Sequence, residues 1–579
     1  MERLEAKKIN GHTYYYYSEW AWVDGKCRRV LQKYLGKLEN IVKAVDGTGP
    51  APLYAEVFHW GLPRALWKEC CLSRIAATID ALCPKRDQGM STGIYLAVAA
   101  LNRAICPNSK RSMWEWFSQT VLMKYIPTAS KAAFTSQRFW DHMDRITDDT
   151  VPFIWKNIVK NVVKRENIDL SSVSYDGTNF YTFINTFNTR SGLARRGKNK
   201  QGRDNLRQIS YALFCCSDSH LPLYYDVYEG NRNDAKQFPL MVKKFHSFFN
   251  ELCSAPATQR YESDMTLIFD KGNNSANNFR MLDSLKLHYV SSVKLKAYKE
   301  LAEVSNSDSA FVLCSSAQLE GTKAFRVTKV LVGREKVLVV SYNQNLFNAQ
   351  WLTLQNDITS ATEKVASLQQ KLKDRVNGVI KRGRVPTIES VKKQCQAHLS
   401  RQYMKRVIKV TITKGSDNIP HLEYVIDVDA VYEIADTCLG KTIIISTRTE
   451  WDNEKIILAY RSQFIIEDVF KEMKDRNTGS WWPLYHWTDS KIKVHALYCT
   501  IALLLRALVM RRVRQAGLDI SMKRLITELD SIREVVAVYP RKKRQKTERK
   551  QTMLTKTSDI QQQLRDILKL DEKELSVLG

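Results

Sequence analysis

Residues 171–183 read SSVSYDGTNFYTF. Val173 and Tyr175 alternate with serines, and the period of two is that of a half-buried β-strand. Asp176 follows directly, so a carboxylate is expected where a buried strand ends, on a rigid element suited to a ligand or catalytic group. The competing reading is a turn, because Asp-Gly at 176–177 is a common turn dipeptide. The stretch DMTLIFDKGNNS repeats the pattern: an apolar strand that stops at Asp270 and then gives way to polar turn residues.

Around these two strands the chain changes character several times. Residues 12–35 are aromatic and β-branched around Asp24-Gly25 and predict a β-hairpin. Residues 55–165 hold Ala-, Leu- and Trp-rich runs broken by prolines and predict helices. After the polar loop RRGKNKQGRDNLRQ, the runs ISYALFCC and LPLYYDVYEGN continue the strand at 171 as an antiparallel meander. HYVSSVKL predicts another strand. Between Asp270 and Glu467 lie 196 residues, far too many for a loop. An inserted domain is therefore expected over 300–450, with a long helix in DITSATEKVASLQQKLKDRVNGVI and a half-exposed strand in RVIKVTITKG.

Then comes LAYRSQFIIEDVFKEMKD, residues 458–475. On one continuous helix Tyr460, Gln463, Glu467, Lys471 and Lys474 share a stripe roughly 80° wide, while Ile465, Ile466, Val469 and Met473 face the core. Alone, that stripe reads as a solvated face with a Glu467–Lys471 pair. Two Asp-bearing strands followed by a Glu-bearing helix suggest more. Three such carboxylates can hold two hard divalent cations about 3.5–4 Å apart, which activate a water or 3′-hydroxyl and stabilise the leaving oxygen at phosphorus.

Charge points the same way. The 579 residues carry a formal net charge of +28, and 44% of them are hydrophobic. That is a folded protein of several domains whose field favours a polyanion, nucleic acid above all, over a merely soluble basic chain. Arg195, Arg196, Lys198 and Lys200 crowd one loop after the first Asp, and either grip phosphates or simply stay solvated. The segment from Arg541, RKKRQKTERK, holds seven cations and one acid and predicts a solvated tail that contacts DNA. Trp481, Trp482, Tyr485, His486 and Trp487 are dense enough to stack on bases, though at least half are expected in the core. The twelve cysteines include no CxxC, so neither a disulfide framework nor a zinc site is expected. MERLEAKKINGHTYYYY has no signal-peptide core, and VHALYCTIALLLRALVM (494–510), with His495 and Arg506 inside it, predicts a buried core helix rather than a membrane span.

YRSQFIIEDVFKEMK resembles the third-carboxylate helix of DDE transposases of prokaryotic insertion sequences, in the group with the signature Y-x2-R-x3-E-x6-K. WWPLYHWTDSKIKVHALYCTIALLL, SYDGTNFYTF, KNKQGRDNLRQ, EGNRND and FDKGNNSANNF are similar to further segments of that family, so the resemblance spans roughly 170–510.

It implies an α/β fold: a ribonuclease H-like catalytic core, a β-rich insertion domain between the second Asp and the Glu, and a mainly helical N-terminal region. The expected parts are a hairpin region at 1–50, helices that could bind DNA at 51–165, the core at 166–299 and 451–515, the insertion at 300–450 and a basic tail at 516–579. It further implies that Asp176, Asp270 and Glu467 bind two Mg²⁺ ions, with Mn²⁺ able to substitute. Tyr460, Gln463, Lys471, Lys474 and Trp487, with the basic loop, would contact DNA. The expected partners are the element's terminal inverted repeats and target DNA, held by a homodimer on paired ends, in the cytoplasm at the nucleoid and without a membrane. Gln463 stands where the family has arginine and carries no charge. On a continuous helix Arg461 points about 160° away and cannot replace it, whereas Lys471 lies on the right face. Two alternatives stay open: a DNA-binding protein without catalysis, and a ribonuclease H-like nuclease that hydrolyses but does not join ends.

Overall fold

The computed structural model describes residues 2–23, 26–45, 51–84, 88–217, 219–254, 264–415, 418–476, 481–541 and 547–572. The Asp24-Gly25 turn and much of the basic run after Arg541 lie outside the described residues. The chain forms two compact units. One comprises residues 1–68, 112–131 and 512–579, and the other 69–111 and 132–511.

In the first unit Glu2–Ile9, His12–Val23 and Lys26–Gly36 form an antiparallel sheet, the latter two being the expected hairpin strands. Tyr54–His59 pairs with Arg533–Tyr539, which pairs with Arg549–Leu554. The stretch expected as a basic tail therefore contains structure. Val536, Ala537 and Val538 are buried, as are Leu525 and Leu529 of the helix Met522–Asp530. Those apolar residues, rather than the net charge of the region, decide its folding.

The second unit is built on a ten-stranded mixed sheet. Its principal strands are β1 (Ser172–Thr182), β2 (Arg207–Cys216), β3 (Pro222–Glu229), β4 (Thr266–Phe269), β5 (His288–Val293), β6 (Thr322–Leu331), β7 (Arg334–Asn343) and β8 (Lys441–Ser446). In space the order is β6-β7-β8-β5-β4-β1-β2-β3. β1, β4 and β5 run parallel, and every other neighbouring pair is antiparallel. The central strands are near-continuous apolar runs, such as TLIF in β4, all buried, as strands covered on both faces must be. The helices α1 (Asp234–Cys253), α2 (Gln344–Val376), α3 (Asn453–Arg461), α4 (Phe464–Lys474) and α5 (Asp489–Gln515) complete the frame. By length and composition α5 could cross a membrane, yet 94% of its most apolar window is buried inside the protein, as a core helix would be.

Three features depart from the sequence reading. β1 does not end at Asp176. It runs on to Thr182 because its antiparallel partner β2 continues, with Asp176 opposite Leu213, so Asp-Gly is strand and not turn. The insertion is divided. β6, β7 and β8 extend the main sheet, while 344–438 folds as a mainly helical body with one two-stranded hairpin, Ile408–Lys414 and Pro420–Ile426, around its own core of Val365, Leu372, Val391, Met404 and Leu422. Finally, the helix at 458–475 is interrupted at Ser462–Gln463. There the N–H groups of Gln463, Ile465 and Ile466 bond to carbonyls three residues back, a 3₁₀-like tightening.

The connection from β3 to α1 is fixed by close packing. Buried Gln208 donates through Nε2 to Gly230 O at 2.7 Å, and its Oε1 accepts from Asn199 at 2.7 Å, tying the basic loop to the start of α1. A Cβ on Gly230 would lie 1.9 Å from Gln208 O. Gly230→Ala is therefore expected to destabilise the protein by about 1–3 kcal/mol through overpacking, read as a lower midpoint in urea denaturation with an unchanged slope.

Candidate active site

The first two carboxylates are brought together by strand register. β1 and β4 pair in parallel from Ser172 opposite Thr266 to Tyr175 opposite Phe269. One step further along each strand are Asp176 and Asp270. Neighbouring strands are about 4.8 Å apart, so two half-buried carboxylates stand side by side where the parallel pairing stops. Beyond this point β4 gives way to a 3₁₀ turn, Lys271–Asn273, and Asp270 Oδ2 accepts from the Gly272 N–H at 3.4 Å. Asp176 accepts from the Gly177 N–H at 2.7 Å. Burial pushes the Asp176 carboxyl up to about 6, with Lys200 and the Gly177 N–H opposing and the negative fields of Asp234 and Asp270 adding to the rise.

The third carboxylate arrives through Tyr460. Ser291 on β5 is opposite Phe269, so Ser292 stands beside Asp270. Tyr460 Oη donates to Ser292 Oγ at 2.7 Å, which docks the end of α3 at that spot. The Tyr460 hydroxyl is raised in pKa by burial first, its bond to Ser292 opposing, and also by the fields of both Asp270 and Glu467. Glu467 is exposed in the first turn of α4. Among the described residues, no group of three His, Cys, Asp or Glu is gathered closely enough to hold a metal with the side chains as they stand.

Basic residues complete this face. Side chains alternate along β1, which puts Thr178 and Phe180 on the same side as Asp176. Lys474 donates to Thr178 Oγ1 at 2.5 Å and lies 5.8 Å from the Phe180 ring centre. Burial lowers its pKa to about 8, Lys200 adding to the fall and Asp176 resisting it. Lys200 donates to Gly177 O at 2.5 Å and pairs with Asp234 at 3.5 Å.

Asp234 is the residue that sequence reasoning missed. It opens α1, accepts from Tyr228 Oη at 3.0 Å, and lies 3.7 Å from where a Gly177 Cβ would be. The signal was present in EGNRND: an Asn cap followed by an acidic first turn after a strand.

The remaining expected residues are placed as follows. Gln463, expected on the polar stripe, is only 7% exposed, because the 3₁₀-like turn rotates it inward. Ile465, Ile466, Val469 and Met473 are buried as expected. Lys471 is exposed and bonds Asp468 at 2.8 Å. Arg461 turns away and donates to Gln318 O and Thr322 Oγ1. Arg195, Arg196 and Lys198 are exposed, with Arg195 donating to Gly192 O and Arg196 to Thr186 Oγ1. Trp487 is exposed, whereas Trp481 and Trp482 are buried, Trp481 stacking on Phe180 at 4.0 Å. His486 and His495 are buried in hydrogen-bonded positions.

Comparison with known proteins bears on this arrangement. No curated protein matches the chain. Among solved structures it is similar to the cryo-EM structure of a piggyBac transposase synaptic complex with hairpin DNA. The identity is 10%, over 81% of this chain and 78% of that one, with a TM-score of 0.33, a likeness too slight to carry an argument. The family model described as the transposase DDE domain matches residues 173–505. That is more than half of the chain and takes in β1, β4, α3 and α4 together, so the chain belongs to the transposase DDE domain family.

Proposed function

We propose that this chain is a DNA transposase of an insertion sequence, with Asp176, Asp270 and Glu467 as its catalytic carboxylates. It would bind the element's terminal inverted repeats, hydrolyse the end phosphodiester and join the freed 3′-hydroxyl to target DNA. The observation that carries this reading is the register that aligns Asp176 with Asp270 beside the Tyr460–Ser292 dock of the Glu-bearing helix. The strand order β3-β2-β1-β4-β5, with the first three antiparallel and the last three parallel, supports a ribonuclease H-like core.

The donor set fits hard divalent cations: three carboxylates with oxygen ligands only, one of them held in an environment that disfavours its own negative charge. Asp176, Asp270 and Glu467 would hold Mg²⁺, with Mn²⁺ able to substitute. Such ions, when bound, activate the attacking oxygen and stabilise the leaving one. Lys474 and Lys200 place positive charge beside the scissile phosphate and hold it against the Asp pair. Tyr460 keeps Glu467 and Asp270 in a common frame. Arg195, Arg196, Lys198, Lys471 and Trp487 are exposed and available to the flanking duplex. Joining two ends to one target calls for a homodimer on paired ends, acting in the cytoplasm at the nucleoid. Gln463 is buried and leaves that role to its neighbours.

Asp270→Ala is expected to reduce cleavage of end DNA in Mg²⁺ by more than about 100-fold, the scale of losing a positioned catalytic group. End binding in a gel-shift assay should remain within a few-fold of wild type. Cleavage at the wild-type rate would overturn the assignment. Because Gln463 replaces the family arginine, a binding-only protein is the second reading, and wild-type binding without nicking in the same assay would favour it.

Lys474 gives a separate test. Its folded pKa lies below its unfolded value of 10.5, so the folded state disfavours the charged form. Stability from this group is lowest below about 8 and rises as pH climbs from there toward 10.5. Lys474→Met is therefore expected to melt above wild type at pH 7, with the gap shrinking as pH rises. The same variant should weaken DNA binding and reduce the salt dependence of binding by about one phosphate contact. A gap that widens with pH would contradict the buried-charge account.

A further inference from the structure

Away from the carboxylates, a cavity of about 310 Å³ opens in the second unit. Its walls include Arg103, Lys110, Arg111 and His486, with Trp140 and Tyr485 as aromatic sides, and among the described residues no carboxylate lines it. Arg103 is 2% exposed, and its Nε and Nη1 have no hydrogen-bond partner. A guanidinium cannot shed its proton, so this is a buried permanent cation. Its neighbour at 5.8 Å is the ring of Tyr498, which supplies no counter-charge.

Lys110 is a second buried basic group, and burial lowers its pKa to about 7, so a nearby anion would favour its charged form. Its Nζ lies 3.1 Å from His486 Nε2 and 3.1 Å from Tyr498 Oη. Both histidines behind it are neutral, burial driving their pKa values well below the usual range. The hydrogen bonds then run in one direction. Lys110 donates to Tyr498 Oη, Tyr498 donates to His495 Nδ1 at 2.5 Å, and His495 Nε2 donates to Trp481 O at 2.8 Å. Every partner of Lys110 is uncharged.

Buried charges are ordinarily paired, because an unpaired one loses its hydration without compensation. Two buried basic groups that share a cavity with no carboxylate among the described residues create a site that an anion would complete. The basic groups suit a phosphate: a buried guanidinium charge in the wall, the Lys110 amine as a point charge, and the exposed Arg111 at the rim. We propose that this cavity is a phosphate-binding site that takes a backbone phosphate of DNA. Recognition of phosphate does not depend on the catalytic assignment; only the DNA source rests on the proposed function.

The test uses the full-length protein and inorganic phosphate as the probe. Thermal melting is followed with phosphate against chloride at matched ionic strength, and a short duplex is then competed against phosphate. Phosphate is expected to raise the melting temperature of wild type and of Asp270→Ala alike, which separates this site from the proposed catalytic one. Arg103→Met is expected to fold, since replacing an unpaired buried charge by an apolar side chain of similar length is neutral or stabilising, and to lose the response to phosphate. If Arg103→Met does not fold, Lys110→Met and Arg111→Ala carry the same comparison, each reducing phosphate affinity at least tenfold. Phosphate that weakens duplex binding in wild type but not in the variants identifies DNA as the source. Phosphate bound without such competition identifies a small phosphate-bearing molecule and overturns the DNA assignment. An equal phosphate response in wild type and in every folded variant overturns the site itself.

Discussion

The parallel register between β1 and β4 is the constraint on which the rest of the site depends. Four residue pairs, Ser172–Thr266 to Tyr175–Phe269, fix the relative height of two strands that are distant in sequence. A slip of one residue would turn every β4 side chain to the opposite face and bury Asp270 against the apolar layer that includes Phe238. The register is held from both sides. Tyr175 packs between Phe214 and Phe238, and Phe269 packs between Phe238 and Tyr289. Aromatic packing beneath the strands therefore decides where two carboxylates stand above them.

The same economy governs the buried cations. Lys336 is fully buried but meets Asp283 at 3.3 Å and lies over Phe279 and Tyr289. Arg448 reaches Asp264 at 2.9 Å and Glu450 at 3.3 Å. Lys441 is caged by the carbonyls of Ala302, Val304, Asp436 and Thr437. These satisfied cations follow the general rule that charge enters a protein interior with partners. Against them Arg103 stands out: it is buried in the wall of a cavity that no carboxylate lines among the described residues. A chain that pairs Lys336, Arg448 and Lys441 with acids or carbonyls leaves Arg103 and Lys110 beside this cavity without either.

Much of this was legible in the sequence because it depended on local pattern. Alternation and apolar runs located β1 to β5, the strand at 408–414 and the long helix α2, and the i, i+3, i+4 spacing identified the buried face of α4. What could not be read was decided by partners remote in sequence. Asp-Gly at 176–177 has turn chemistry, but β2 supplies hydrogen bonds through Thr182 and keeps it extended. Strands β6, β7 and β8 read as part of a separate insertion, since nothing local tells a strand which sheet it will join. Asp234 was passed over because it comes up against Gly177, near enough to act on Asp176, only once α1 has folded back beside β1. The cavity at Arg103 had no sequence signal, as its walls come from residues 103–140 and 483–486.

The helix at 458–475 shows how a small local change redistributes chemistry. An even advance of 100° per residue puts Gln463 on the stripe with Tyr460 and Glu467. Tightening three steps toward the 3₁₀ value of 120° adds roughly 60° of rotation. Counted back from α4, that carries position 463 from the edge of the polar face to the edge of the core-facing side, and it is 7% exposed. An arginine held there would be an interior cation in need of a counter-charge, the situation of Arg103 without its cavity. Glutamine brings no charge inward and lets the turn close. An uncharged residue is thus matched to the burial of this position, and the positive charge on this face is carried by Lys474 and Lys200, near Asp176.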